Sequence, residues 1–372
     1  MAERFRILQV VDSLEPGGME NVLIQMMAGM DRTRFQFEVC CLSRGGAFVS
    51  RLPDDIPVHV LGKPPGFSLK AVGQLRALVR RGNFGIVHTR HLGGLIYAGL
   101  ACPRRGAPPL VHSEHALWDE ADLSRKRQWQ RRILYRRASA VFAVSHQQTE
   151  QMRKLGNDHP QLSVILNGVD AGRFTPARDK RALRQSLGLE ADGLWLGMVA
   201  RFGRWKRHVD LIEAFELVAQ DAPLLRLLLL GDQGPEKARV MARLEASPVR
   251  HRIHWAGFQQ DPVPWYQVMD VLVVSSSVEG LPNAVLEGMS CGLPLVANDV
   301  CGVREIARDA LHGSIRDLST VPLLADALRG AARDSAQVRD EQGRSARVHV
   351  QEAFSVQAMI RGYDRLYSSV RR

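Results

Sequence analysis

Residues 271–289 read VLVVSSSVEGLPNAVLEGM. Val271-Leu272-Val273-Val274 is an aliphatic run of the kind that fills a buried parallel strand. Gly280-Leu281-Pro282 reads as a turn, and the stretch from Ala284 to Ser290 has helical spacing. Pro282 is predicted to open the helix, because its missing N–H falls where a first turn has free donors in any case. A strand passing directly into a helix is half of a β-α-β unit. Here it sets Glu279 in the connecting loop and Glu287 about one and a half turns beyond the helix start.

The same alternation extends over the whole sequence. A first series of apolar runs, 5–11, 35–42, 85–88, 110–112 and 140–144, is separated by helical spacing over 21–30, 69–80, 92–101, 124–137 and 146–155. A second series, 194–199, 226–230, 253–255, 271–274 and 295–297, alternates with helical patterns at 209–219, 236–244 and 284–290. This is the pattern of parallel strands joined by crossover helices. At 372 residues one core would be unusually large, and the polar stretch that follows Asn167-Gly168-Val169-Asp170 divides the two series. The expectation is two doubly wound α/β domains, 1–170 and 171–352, facing a cleft, with the chemistry in the loops that follow strands.

Composition bounds the function class. The chain is 45% hydrophobic and 24% charged, which suits a packed globular protein. No apolar run approaches the roughly 20 residues of a membrane span, and the start lacks a secretory centre, so a cytoplasmic protein is expected. Cys40, Cys41, Cys102, Cys291 and Cys301 show no paired spacing, which argues for reduced thiols rather than disulfides or structural zinc. The formal net charge is +11, with the excess in the first half, much of it in Arg125–Arg137 (RKRQWQRRILYRR). Basic residues interleaved with Trp129, Ile133, Leu134 and Tyr135 suit a helix lying on an anionic membrane surface, or equally a solvated face.

Three strand ends carry candidate chemistry. Gly17 and Gly18 follow the first strand and precede a helix, where backbone N–H groups can approach an anion. Arg201 and Lys206 follow the strand at 194–199 and suit a phosphate, Arg as a planar fork and Lys as a point charge. Glu279 and Glu287 accept hydrogen bonds from hydroxyls, so the pair suits two polyols, a sugar and a ribose, with a diphosphate held between them by the cations and the helix start. A nucleotide sugar has those parts in that order. A glycosidase also uses two carboxylates, but it needs neither Arg201, Lys206 nor a phosphate-ready helix. No acidic pair of the DxD kind follows a strand, and the cations already present make a divalent metal unnecessary.

The sequence resembles the family-four retaining glycosyltransferases of the GT-B fold over nearly its whole length. ARFGRWKRHVDLIEAF, LLLLGDQGPEKAR and WAGFQQDPVPWYQVMDVLVVSSSVEGLPNAVLEGMSCGLPLVANDVCGVREI follow that family's order, and Glu279 with Glu287 matches its E-x7-E signature. PGGMENVLIQM, IVHTRHLGG, HSEHALWD, VSHQQTEQM and VILNGVDAGRFTP are similar to its first-domain and linker motifs, in the manner of bacterial exopolysaccharide sugar transferases. The resemblance implies that Arg201 and Lys206 bind the donor diphosphate, Glu279 the donor sugar and Glu287 the ribose. By the same resemblance Gly280, Leu281 and Pro282 form the donor loop, and the backbone near Gly257 and Phe258 meets the base. His115 is then expected beside the transferred sugar, Gly17 and Gly18 at the phosphate and acceptor side, and 353–372 as a helix crossing back to the first domain. The implied partners are a nucleotide sugar and a lipid-linked or oligosaccharide acceptor, with no metal cofactor and no nucleic acid. After Glu305 the family's glycine-rich hairpin is reduced to RDALHGSI, which leaves the edge structure there open. Two other readings stand beside this one: a basic nucleic-acid-binding protein, supported by net charge alone, and a sugar-nucleotide epimerase on the same architecture, against which the E-x7-E spacing argues.

Overall fold

The computed structural model describes residues 4–102, 106–115, 118 and 122–370. The chain divides into two compact units, Met1–Gly168 with Val356–Arg372, and Val169–Ser355.

The first unit runs β1 (Phe5–Val11), α1 (Gly18–Gly29), β2 (Phe35–Cys41), β3 (Val58–Val60), α2 (Leu69–Gly82), β4 (Ile86–Arg90), α3 (His91–Ala101), β5 (Leu110–Glu114), α4 (Arg125–Tyr135), β6 (Ala140–Ala143), α5 (His146–Lys154) and β7 (Leu162–Val164). Its strands form one parallel sheet in the order β3-β2-β1-β4-β5-β6-β7. The short edge strands β3 and β7 have three residues each, too few to show as apolar runs. β4 and β5 continue past His88 and His112, where the apolar pattern ends, and every residue of both strands is buried. Strand alternation splits the unit's core in two. Ile7, Val11, Val111 and Phe142 lie in one half with α1, while Leu8, Val10, Leu110 and Val141 lie in the other with α2 and α3.

The second unit runs α6 (Lys180–Ser186), β8 (Leu194–Val199), α7 (His208–Ala219), β9 (Leu225–Leu230), α8 (Lys237–Glu245), β10 (Ile253–Gly257), α9 (Val263–Gln267), β11 (Val271–Val274), α10 (Asn283–Ser290), β12 (Leu295–Asn298), α11 (Cys301–Ile306), β13 (Gly313–Arg316), α12 (Val321–Arg333) and α13 (Ala336–Ala353). The parallel order is β10-β9-β8-β11-β12-β13. The reduced hairpin after Glu305 still supplies an edge strand, since β13 pairs with β12 from Leu295↔Gly313 to Asn298↔Arg316.

The last helix, α14 (Val356–Val370), belongs to the first unit. Val356, Met359, Tyr363 and Tyr367 recur at three- and four-residue spacing and are buried in the half-core that holds Phe35, Phe37 and Phe142. All five thiols are free, and Cys301 alone among them is exposed. No helix among the described residues is long and apolar enough to cross a membrane.

Candidate functional site

In the second sheet β8 and β11 are hydrogen-bonded neighbours, yet β8 is followed in sequence by β9 on one side and β11 by β12 on the other. The loops leaving β8 and β11 therefore diverge, which opens the crevice where parallel sheets hold ligands. The first loop ends in a 3-10 turn, Arg204–Lys206, and is fastened to the second by hydrogen bonds. Ser277 donates its backbone N–H to the Trp205 carbonyl at 2.8 Å, and the Ser275 hydroxyl donates to the Lys206 carbonyl at 2.8 Å. Held in this way, Lys206 Nζ lies 2.5 Å from Glu279 Oε1, with side chains 22% and 10% exposed. The pair lines a small pocket with Ala200, Ser276, Pro282 and Ala284, floored by the ends of β8 and β11.

The surrounding backbone leaves this loop pair little freedom. Gly231, at φ 138°, has no room for a side chain, because a Cβ there would lie 2.0 Å from the Ala200 carbonyl oxygen. Gly302 packs against the second loop, where a Cβ would lie 2.4 Å from the Gly280 oxygen and 2.6 Å from that of Glu279. Asn298 is buried and ties the same region together, donating to the Ser276 carbonyl at 2.9 Å and accepting from the Leu318 N–H at 2.8 Å. Arg207 stands in the left-handed region at φ 59°, and its guanidinium donates to Asp210 and to the carbonyls of Leu318 and Ser319. It braces the loop and is not available to a ligand, which sets it apart from its neighbour Lys206.

Pro282 is not the first residue of α10. It caps the helix in extended geometry (φ −73°, ψ 111°), and its carbonyl accepts from Val285 N–H at 3.0 Å, so the helix proper starts at Asn283. Glu287 lies one turn in and is half-buried. Its Oε2 accepts from the Tyr266 hydroxyl at 2.7 Å. Burial, together with the Glu287 charge, pushes that phenol well above its ordinary value, so Tyr266 remains a proton donor. Arg201 opens the β8 loop, exposed and without an ion-pair partner among the described residues. At the end of β10, the Gly257 carbonyl accepts from Gly231 N–H at 2.8 Å, and Phe258, the next residue, is 41% exposed. Leu281 is buried and Gly280 is half-buried.

In the first unit, β1 and β4 flank the corresponding switch point. Gly17 caps α1 with extended backbone (φ −167°), and the Glu20 carboxylate lies where a Gly17 side chain would point. The start of α1 thus already has a carboxylate beside it, and an incoming anion would have to displace it. His115 follows β5, and burial, then the charges of Arg90 and His91, hold its imidazole well below the ordinary histidine value.

The basic helix α4 corrects the sequence reading at three residues, Arg131, Leu134 and Tyr135. Arg131 does not belong to a solvated or lipid-facing surface. It is 1% exposed, ion-paired to Glu114 at 3.1 Å and Asp122 at 2.8 Å, and stacked over Trp118 at 4.1 Å. Leu134 and Tyr135 are buried beside it, and Tyr135 donates to Glu114 at 2.8 Å. Helical periodicity could have found this, because Arg131 shares a face with Leu134 and Tyr135, whereas Trp129 and Ile133, 63% and 37% exposed, lie on the other.

The family matches place the chain among the glycosyltransferases. Residues 16–173 match the model for Glycosyltransferase Family 4 and residues 179–349 that for Glycosyl transferases group 1, and the chain belongs to the family-four glycosyltransferases of the GT-B fold. It is 24% identical over 235 residues to N-acetyl-alpha-D-glucosaminyl L-malate synthase of Bacillus anthracis, an alignment covering 63% of this chain and 61% of that one. It is 23% identical over 329 residues to the UDP-Gal:alpha-D-GlcNAc-diphosphoundecaprenol alpha-1,3-galactosyltransferase of Escherichia coli, covering 84% of each. The crystal structure of Anabaena HepE in complex with UDP and glucose superposes with a TM-score of 0.83 at 24% identity, covering 98% of this chain and all of that one.

Proposed function

We propose that this protein transfers a sugar from a nucleoside diphosphate sugar to a lipid-linked or polysaccharide acceptor in cell-surface glycan synthesis, with retention at the anomeric carbon and without a metal. The observation that carries the reading is the Lys206–Glu279 pair at the β8/β11 switch point. Each partner neutralises the other until a diphosphate arrives. Lys206 then turns to the phosphate oxygens, and Glu279 is released to accept from sugar hydroxyls. Arg201 and the positive end of the α10 dipole add positive potential where the leaving diphosphate gathers charge, the part a divalent cation would otherwise play. Glu287, one turn along and steadied by Tyr266, suits the ribose. The names of the Escherichia coli relative and of the HepE complex, with UDP-Gal and UDP, support a uridine nucleotide.

The test is a thermal-shift screen of nucleotide sugars, since a bound donor stabilises the folded chain by mass action. Lys206→Ala and Arg201→Ala are each expected to weaken the stabilising donor about 10- to 100-fold, the equivalent of one charge-assisted bond at about 1.5 to 3 kcal/mol. Native affinity in both variants removes the diphosphate assignment.

The exposed side of α4 completes the proposal. Trp129 and Ile133 stand four residues apart, flanked by exposed Arg125, Lys126, Arg132 and Arg136, which is the composition of a helix that lies on anionic lipid. A lipid-linked acceptor would be met at that surface. Vesicles containing anionic lipid are expected to sediment the protein at low salt, and Gln at Arg125, Lys126, Arg132 and Arg136 together should weaken binding more than tenfold, at about 1 kcal/mol per charge. Unchanged sedimentation would make this a solvated face.

A further inference from the structure

We infer that His115 is held as the Nδ1–H tautomer by a one-way chain of hydrogen bonds that starts at Arg90 and passes through Tyr367 of the terminal helix, so that its imidazole meets a ligand as a donor and not as a base. The tautomer rests on the hydrogen bonds alone; only its consequence in turnover rests on the function proposed above.

The direction of the chain follows from one fact of chemistry, that a guanidinium has donors only. Arg90, at the end of β4 and 1% exposed, donates from Nη1 to Gln9 Oε1. That contact fixes which end of the Gln9 amide is oxygen, so Gln9 Nε2 is the donor to Tyr367 Oη at 3.1 Å. The Tyr367 oxygen therefore accepts, and its own proton goes to the acceptor within reach, His88 Nδ1 at 2.8 Å. With Nδ1 accepting, a neutral His88 carries its proton on Nε2, which lies 3.0 Å from Ser113 Oγ. Burial, together with the Arg90 charge, keeps His88 neutral. Ser113 in turn has its hydroxyl proton free for His115 Nε2 at 2.8 Å, a far better acceptor than the Thr89 carbonyl at 3.5 Å. His115 Nε2 thus accepts, and the proton of the neutral ring is on Nδ1.

That nitrogen is buried and has no hydrogen-bond partner among the described residues. A buried N–H left unpaired is costly, and the cost is recovered when a ligand oxygen meets it. The arrangement also rules out one role for His115. With Nε2 occupied as an acceptor and Nδ1 protonated, the ring has no free lone pair, so it binds as a donor and does not act as a general base. Gln9, His88, Ser113 and Tyr367 are positioning residues that act through it. All four are fully buried, which explains polar side chains in the middle of a half-core otherwise built of Ile7, Phe142 and Tyr363.

The experiment uses the ligand-free full-length protein labelled with 15N-histidine, with the His115 ring assigned by its loss in His115→Gln. The imidazole 15N–1H correlation pattern of the native protein is expected to be that of an Nδ1-protonated neutral ring. Ser113→Ala removes the donor to Nε2, and the ring should move to the Nε2-protonated form that isolated imidazole side chains favour. Tyr367→Phe keeps the ring packing, breaks the chain earlier, and should give a mixture; it serves if Ser113→Ala does not fold. In turnover, Ser113→Ala should raise the donor KM by about 2- to 10-fold, the range of one neutral hydrogen bond. An Nε2-protonated His115 in the native protein, or a native tautomer that persists in both variants, overturns the chain. A tautomer that shifts as expected with an unchanged donor KM overturns the role of that N–H as a donor in turnover. Because the spectra need no donor, the chain can stand even if no nucleotide sugar is turned over.

Discussion

Glu279→Gln should lower kcat by about 10²- to 10³-fold with little change in donor KM, the size of effect found when a group that meets developing charge is removed. A carboxylate beside the transferred sugar can tighten its contacts as positive charge grows at the anomeric carbon, and a neutral amide of the same shape cannot. The variant also separates Lys206 from its counter-charge, which leaves the ammonium fully available to the diphosphate and works against any rise in KM. Glu287→Gln is the contrast. Its bond with Tyr266 is the same in ground and transition states, so it should raise KM or lower the melting temperature while kcat holds. Steady-state kinetics and melting curves on the same preparations decide. If both variants lose stability together and keep kcat, the two carboxylates only brace the junction between β11 and α10.

Arg131→Ala should destabilise the folded chain by about 3 to 5 kcal/mol, because it leaves the Glu114 charge buried and short of a partner. Burial by itself would raise the Glu114 carboxyl, but the hydrogen bond and charge from His112, with the Arg131 charge, hold it well below the usual range. A carboxylate depressed on folding stabilises at pH values above its unfolded pKa, and that stabilisation drains as pH falls toward the folded one. The gap between native and variant should therefore be widest near neutral pH and narrow as the solution is acidified below the ordinary carboxylate range. Arg132→Ala, one residue on and exposed, should stay within about 0.5 kcal/mol of native. Equal losses from the two, measured by urea unfolding at several pH values, would contradict the buried network.

The apolar runs revealed the central strands because burial on both faces of a parallel sheet demands continuous Val, Ile and Leu. The same rule hid the ends of β4 and β5, where Arg90, Ser113 and Glu114 are buried by hydrogen bonds and ion pairs instead of by apolarity. Glu279 and Lys206 were legible because each follows a strand, and strand ends face the ligand in this architecture. The bond between them was not, since it depends on Ser275 and Ser277 drawing two loops together across a distance of some seventy residues in sequence. Nor was the difference between Lys206 and Arg207, adjacent basic residues of which one faces the pocket and the other supports the loop from a left-handed backbone. The glycines at 231 and 302 did leave a mark in the sequence, each lying shortly after a strand, but their reason is a contact with a distant loop.

The most direct measurement incubates the purified protein in excess EDTA with the nucleotide sugar that stabilises it most, supplies a lipid-linked sugar acceptor, and follows the release of nucleoside diphosphate. The account predicts release in the presence of chelator, a glycosylated product of unchanged anomeric configuration, and rates at least tenfold lower in folded Lys206→Ala and Glu279→Gln. Release that needs added manganese or magnesium, or that proceeds at the native rate in both variants, would contradict it.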